Sequence, residues 1–283
     1  MTLIWGGTFA VVKIGMEDIS PILLLVIRFA IASLILLLFF RRKIFPLKFN
    51  SLQKGSLLGF FLFLGFVAQN IGLTITTASK SAFITGLMVV FVPMLQFVIE
   101  HRAPKLGNLV GVAVVTLGLW FLTTPAGSAF NSGDALTLVC AVLFAIYIVY
   151  LDVISKEIET VQLLFIQLSS MTLYSAVTVA LFETPKCVIG PQSVMALLYL
   201  TFLATLITTW VQTKYQKDTT PTRAVVIFSV EPVIASVIAY ILLGETLGAL
   251  GILGGALIIA GVLLSELSDN VPVLNRSLAG DES

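Results

Sequence analysis

Two ionisable side chains sit inside long apolar runs, Arg28 in PILLLVIRFAIASLILLLFF and Glu231 in PTRAVVIFSVEPVIASVIAYILL. A charge within a membrane span costs several kcal/mol even on lenient scales, so each is a functional candidate whose partner must be named. A guanidinium holds carboxylate or phosphate, and a carboxylate holds a cation or carries a proton. At about 1.5 Å per helical residue, Arg28 lies about 10 Å from the helix start at Pro21. By the same count Glu231 lies about 15 Å from Pro221, entering from the opposite face. Across a hydrocarbon core of roughly 30 Å the two depths differ by only about 5 Å. Both are therefore expected to face one central polar cavity, paired with each other or with charges on a substrate. The plainer alternatives are a snorkelling or carbonyl-bonded arginine and a protonated glutamic acid that serves helix packing.

Uncharged polar and aromatic groups in the same kind of surroundings are Gln69, Asn70, Gln96, Tyr147, Gln167, Trp210 and Gln212. Such groups read a zwitterion or an amide by hydrogen bonding and stacking, or else they bond one helix to another. Lys13, Lys80 and Asp152 fall near span ends, where snorkelling is the simpler account, although Lys13 stays a minor candidate for an outer vestibule. Trp5, Trp120 and Tyr240 fit interfacial aromatic belts. Pro93 and Pro232 remove ladder bonds to the carbonyls of Val89 and Phe228, so both are expected to kink their helices as hinges. One histidine, His101, leaves no material for a histidine-based triad or zinc motif, and Cys140 and Cys187 lack metal-ligand spacing. No GxxxxGK[ST] loop occurs. The sequence thus implies no catalytic residue, no metal, no cofactor and no direct ATP coupling, and it does not read as an enzyme.

These residues must be positioned by a chain of 283 residues that is 58% hydrophobic and 11% charged, where an ordinary soluble domain carries about 25% charge. Mean hydropathy is +1.06. Lipid must be its main solvent. Ten apolar runs can be marked off: Leu3–Met16, Pro21–Phe40, Ser56–Ile75, Ser81–Ile99, Leu106–Thr123, Asp134–Ile154, Thr160–Phe182, Val194–Tyr215, Pro221–Leu243 and Gly248–Leu267. The first is short for a span, so either its helix starts before Met1 or neighbouring helices stabilise it. With the N-terminus inside, twelve Lys and Arg lie in or beside cytoplasmic segments and three, Lys13, Lys80 and Lys186, lie outside. The net charge of +1 gives no sign of a nucleic-acid partner.

The chain also repeats itself. Displaced by 139 residues, SPILLLVIRF (Ser20–Phe29) lies over TVQLLFIQL (Thr160–Leu168), and Arg28 faces Gln167. Displaced by 143, TTASKSAF (Thr76–Phe83) lies over TTPTRAVV (Thr219–Val226), Gln69 over Gln212 and Lys80 over Arg223. Five helices per half is an odd number, so the halves cross the membrane in opposite senses. That is the inverted-repeat plan of carriers that alternate access about a midplane site. The glycines of Leu106–Thr123 and Gly248–Leu267 suit close helix contact, as scaffold or as a homodimer surface.

WGGTFAVVKIG with SPILLLVIRF, TTASKSAFITGLMVVFVPML, and above all TPTRAVVIFSVEPVIASVIAYILLGETL resemble the paired EamA domains of the drug/metabolite transporter superfamily, from Trp5 to Leu264. EHRAPKLG, which replaces the longer LLGETLGALG of the second half, departs from that pattern. The resemblance implies an all-α membrane protein with ten transmembrane helices as two inverted-topology five-helix repeats, at residues 1–124 and 133–267, followed by a polar cytoplasmic tail at 268–283. It implies N- and C-termini in the cytoplasm, a plasma (inner) membrane location, and export or exchange of small metabolites, often amino acids or related compounds. Import of a vitamin, nucleoside or sugar-phosphate-type solute is the alternative. A membrane-embedded lipid-modifying enzyme would need a polar cluster at one interface that this sequence lacks.

Overall fold

The computed structural model describes residues 1–100, 105–123, 130–244 and 249–267. The expected tail and the expected helix start at Gly248 lie outside the described residues. The chain order is α1 (Thr2–Asp18), α2 (Pro21–Ile44), α3 (Phe49–Leu73), α4 (Ala78–Gly86), α5 (Met88–Glu100), α6 (Leu106–Thr123), α7 (Ser132–Ile154), α8 (Thr160–Phe182) and α9 (Pro191–Leu198). A π-helical stretch, Tyr199–Ile207, leads into α10 (Thr208–Tyr215), followed by α11 (Pro221–Phe228), α12 (Glu231–Leu243) and α13 (Ala249–Leu267). Among the described residues there is no strand, and Ile19 and Cys187 form an isolated bridge.

Seven helical rods are long and apolar enough to cross a membrane: Pro21–Ile44, Phe49–Leu73, Ala78–Ile99, Ser132–Ile154, Thr160–Phe182, Pro191–Asp218 and Pro221–Leu243. The apolar helices Leu106–Phe121 and Ala249–Ser265 are shorter. Length and composition thus support seven of the ten expected spans. Several helices outrun their apolar runs; α3 starts at Phe49 rather than Ser56, because hydropathy marks the hydrocarbon and not the end of the backbone ladder. Local chemistry sets the ends. Pro21, Pro191 and Pro221 occupy first turns, where the missing N–H is harmless. Thr77 and Thr220 accept from the amides of Lys80 and Arg223, Asn131 and Asp134 form a reciprocal capping box, and Arg41, Arg42 and Lys43 meet the negative end of α2.

Helices from the two parts of the chain interleave. Helix α1 packs on α12, α2 on α8, α3 on α7 and α8, and α4 and α5 on α7, while α6 and α13 pack on each other. The last pair is close because it lacks side chains at the contact. A Cβ on Gly118 would come 2.8 Å from the Gly254 carbonyl oxygen, and one on Gly261 would come 2.9 Å from the Val115 amide nitrogen. These glycines therefore serve contact within the chain. Elsewhere the surface is apolar: Phe182 is 82% exposed, Phe39 77% and Trp120 70%. Such a surface is stable against lipid and not against water.

Polar ties close the two ends of the bundle. At one end the Ser20 amide donates to the Lys186 carbonyl and the Val188 amide to the Asp18 carbonyl. There the Glu183 carboxylate accepts from the Ile22 and Leu23 amides and from the Ser20 hydroxyl, each at 3.0 Å, so it caps α2 from another helix. Lys80, expected to snorkel, instead reaches the fully buried Asp134 at 2.5 Å, where Thr76 also donates at 2.6 Å. Burial of Asp134 makes this pairing preferable to solvation. At the opposite end Lys54 pairs with Glu157, and the Gln162 amide donates to the carbonyls of Ile44 and Pro46.

Candidate functional site

Three of the expected continuous rods are locally irregular, and all three irregularities border one cavity. The rod Ala78–Ile99 breaks at Leu87, whose ψ is −10°, and the rod Pro221–Leu243 breaks at Ser229 and Val230, with ψ of −9° and −21°. Pro232 accounts for the second break, since its ring meets the Phe228 carbonyl four residues earlier and displaces the turn before it. The break in the first rod does not fall at Pro93, which stays inside α5; it falls six residues upstream. Pro232 sits in the first turn of α12, directly after its break. The two breaks also touch, because a Cβ on Gly86 would lie 3.0 Å from Pro232 Cγ. The third irregularity is the π-helical stretch.

The cavity between these rods holds some 650 Å³ of space not occupied by atoms, open solvent at its mouth included. Its apolar wall includes Trp5, Phe9, Phe66, Met88, Phe144 and Phe228. Trp5 and Phe228 meet edge to face at 5.2 Å, and so do Phe66 and Phe144. Trp5 therefore lines the cavity and does not join an interfacial belt, whereas Trp120 and Tyr240 are exposed. Five of the expected site residues line it as well: Arg28, Gln69, Tyr147, Gln212 and Glu231.

Arg28 is 3% exposed. Its Nε donates to Thr205 Oγ1 at 2.5 Å and its Nη2 to the Ala204 carbonyl at 3.1 Å. The rings of Phe29 and Phe66 lie 4.9 and 5.1 Å from Cζ and supply cation–π contact. Among the described residues Nη1 makes no hydrogen bond, and Arg28 lines the cavity. Glu231 is 8% exposed, and among the described residues its carboxylate makes neither a hydrogen bond nor an ion pair. Of the two expected alternatives, pairing with each other or with substrate charges, Arg28 and Glu231 do not make the first. Two neutral acceptors hold the arginine against its wall, leaving the two charges separate.

The other expected residues lie behind or beside the cavity. Gln167 accepts from the Tyr147 hydroxyl and donates to Thr213 Oγ1, both at 3.1 Å, and so fixes the ring that lines the wall. Asn70 donates to the Pro21 carbonyl at 3.0 Å. Gln96 accepts from the Thr222 amide and hydroxyl, joining α5 to α11. Helix-to-helix bonding displaces a lining role for these three, because each finds buried partners. Trp210 is 37% exposed beneath the Lys214 ammonium, and Lys13 donates to the Thr76 carbonyl at 3.4 Å; neither lines the cavity. Sequence reasoning missed Thr8, Thr85, Thr205 and Thr209. A threonine in an apolar helix usually satisfies itself on a carbonyl of its own helix, so its type carries no signal of where it points.

The profile of the EamA-like transporter family matches residues 1–124 and 131–267. The chain belongs to the EamA-like transporter family. It is a multi-pass membrane transporter of that type. An uncharacterized transporter of Archaeoglobus fulgidus is 33% identical over 267 residues, covering 94% of this chain and 83% of its own. A protein of Salmonella typhimurium described as a probable amino-acid metabolite efflux pump is 26% identical over 288 residues, covering 94% of this chain and 92% of its own. A crystal structure at 16% identity covers 94% of both chains with a TM-score of 0.77, which speaks for the fold alone.

Proposed function

We propose that this EamA-like transporter is a secondary carrier that exports or exchanges amino acids or related zwitterions across the plasma (inner) membrane. The observation that carries this reading is the cavity itself. It holds a guanidinium nitrogen and a carboxylate that do not satisfy each other, set in an aromatic wall. A zwitterion satisfies both at once, with its carboxylate on Arg28 Nη1 and its ammonium on Glu231, while the aromatic wall receives an apolar side chain. The description of the Salmonella relative agrees with this substrate class.

In this reading α1, α6 and α13 complete ten spans in two inverted halves, with both termini cytoplasmic. The contact pattern supports it, because exchanging the halves maps α1 on α12 to α7 on α5, and α2 on α9 to α8 on α3. The displacement of 143 residues also relates the breaks at Leu87 and Val230, the caps Thr77 and Thr220, and the lining residues Gln69 and Gln212. Alternating access then proceeds by rocking the halves about the touching breaks. Purified protein is to be screened by thermal shift against amino acids, nucleosides, organic acids and amines, since a ligand of the folded state raises the melting temperature. Uptake into liposomes with and without a pH gradient then separates exchange from proton coupling. Stabilisation by organic acids and amines equal to that by amino acids overturns the zwitterion assignment.

A further inference from the structure

The π-helical stretch Tyr199–Ile207 has a geometric consequence at Ala204. The Thr208 amide donates to the Leu203 carbonyl, five residues back, where an α-helix would use Ala204. The ordinary four-residue ladder resumes in α10, so the step between registers leaves the Ala204 carbonyl as the one passed over. A buried carbonyl without a donor is costly, so it must be filled from elsewhere. Thr208 Oγ1 fills it at 2.8 Å and Arg28 Nη2 at 3.1 Å. The neighbouring Thr205 Oγ1 donates to the Leu200 carbonyl at 2.8 Å, which fixes its hydroxyl proton away from Arg28 and turns a lone pair toward Nε. Both acceptors are fully buried or nearly so.

We infer that Thr205 is a positioning residue for substrate recognition, which together with the Ala204 carbonyl freed by the π-helix clamps the Nε–Nη2 edge of Arg28 and aims Nη1 at the substrate's anionic group. The clamp resembles in shape the fork that a carboxylate offers to arginine, but it is neutral. An acidic residue there would cancel the charge that the substrate is to meet; a hydroxyl and a carbonyl orient it and leave the charge intact. The flanking Phe29 and Phe66 rings restrain the guanidinium plane, so without Thr205 the group remains charged but can turn about its stem. The clamp also joins helices from the two parts of the chain, α2 and the rod that contains the π-helix.

This inference rests on the assignment of Arg28 to the substrate's carboxylate, and the experiment separates the two. L-phenylalanine and phenethylamine, which differ by the carboxylate, are the binding probes for the full-length protein and for Thr205→Val, Thr205→Ser and Arg28→Gln. Thr205→Val is expected to weaken L-phenylalanine binding about tenfold, the range of one hydrogen bond to a charged group, and to leave phenethylamine within twofold. Thr205→Ser restores the parent value. Equal weakening of both probes shows a merely structural role and overturns the proposal. A fall in Arg28→Gln with none in Thr205→Val overturns this inference alone, and no fall in Arg28→Gln overturns the underlying reading. A ligand-independent measurement stands beside it: the Arg28 Nε–H signal in ¹⁵N NMR, assigned by its loss in Arg28→Gln, exchanges with water at least tenfold faster in Thr205→Val than in the parent and in Thr205→Ser. Equal exchange in parent and Thr205→Val refutes the clamp whatever the protein transports.

Discussion

Replacing Glu231 by Gln tests whether the two cavity charges read the two ends of a zwitterion. Glu231 makes no hydrogen bond or ion pair among the described residues, so the substitution removes a charge without breaking a direct contact of the protein. A charge-assisted hydrogen bond in a buried site contributes about 1.5–3 kcal/mol. On the other side Thr205 and Ala204 occupy two of the five guanidinium N–H donors of Arg28, so a substrate anion meets the group at its Nη1 end. Each charge is therefore assigned about 2 kcal/mol, which at 1.4 kcal/mol per decade is about thirtyfold in Kd. Isothermal titration in detergent, using an amino acid, its decarboxylated amine and its deaminated acid, resolves changes of that size. Glu231→Gln is expected to weaken the amino acid and the amine about thirtyfold and to spare the acid. Arg28→Gln does the reverse, weakening the amino acid and the acid and sparing the amine. Equal losses for all three ligands in Glu231→Gln would refute the reasoning, because they would show a collapsed cavity and not a lost charge contact.

The ties and packing contacts give further expected outcomes. Asp134→Leu leaves Lys80 and Thr76 without their buried acceptor and is expected to cost about 3 kcal/mol, seen as a lower melting temperature; Lys80→Met combined with Asp134→Leu recovers part of the loss. An unchanged melting temperature in Asp134→Leu would contradict the burial of that pair. Glu183→Ala removes the cap of α2 and costs about 1 kcal/mol, with faster amide exchange at Ile22 and Leu23 as its local signature. Within the α6–α13 contact, Gly118→Ala drives a methyl into backbone and destabilises by about 1–3 kcal/mol. Gly255→Ala on α13 meets Val233 only at 3.5 Å and is neutral or slightly stabilising, so a larger loss there than at Gly118 would contradict the packing.

Much of the fold was legible because lipid imposes a one-dimensional rule. Apolar runs must be helical in lipid and their lengths are set by the hydrocarbon thickness, so Thr160–Phe182 and Leu106–Thr123 come out of the sequence with the bounds that the structure gives. The scarcity of charge inside spans drew attention to Arg28 and Glu231, and both reach the cavity. The same rule misjudged Lys80, because proximity to a span end does not reveal a buried carboxylate 54 positions away in the chain. It also misjudged Trp5, whose indole faces inward although its position near a helix end fits a belt.

The sequence by itself determined that this chain lives in lipid, that its helices come in related sets, and which few polar side chains have no business in hydrocarbon. These follow from local properties, namely residue type, run length and displacement. Only the tertiary structure decided which of those polar groups meet. It placed Gln69, Tyr147 and Gln212 on the cavity while turning Asn70, Gln96 and Gln167 to neighbouring helices, and it kept Arg28 apart from Glu231. The physical reason is rotational. Composition fixes that a helix crosses the membrane, but the direction in which each polar face turns is set by the close contacts with its neighbours. In the rod that holds Thr205, it is set also by a π-helical register that no residue type announces.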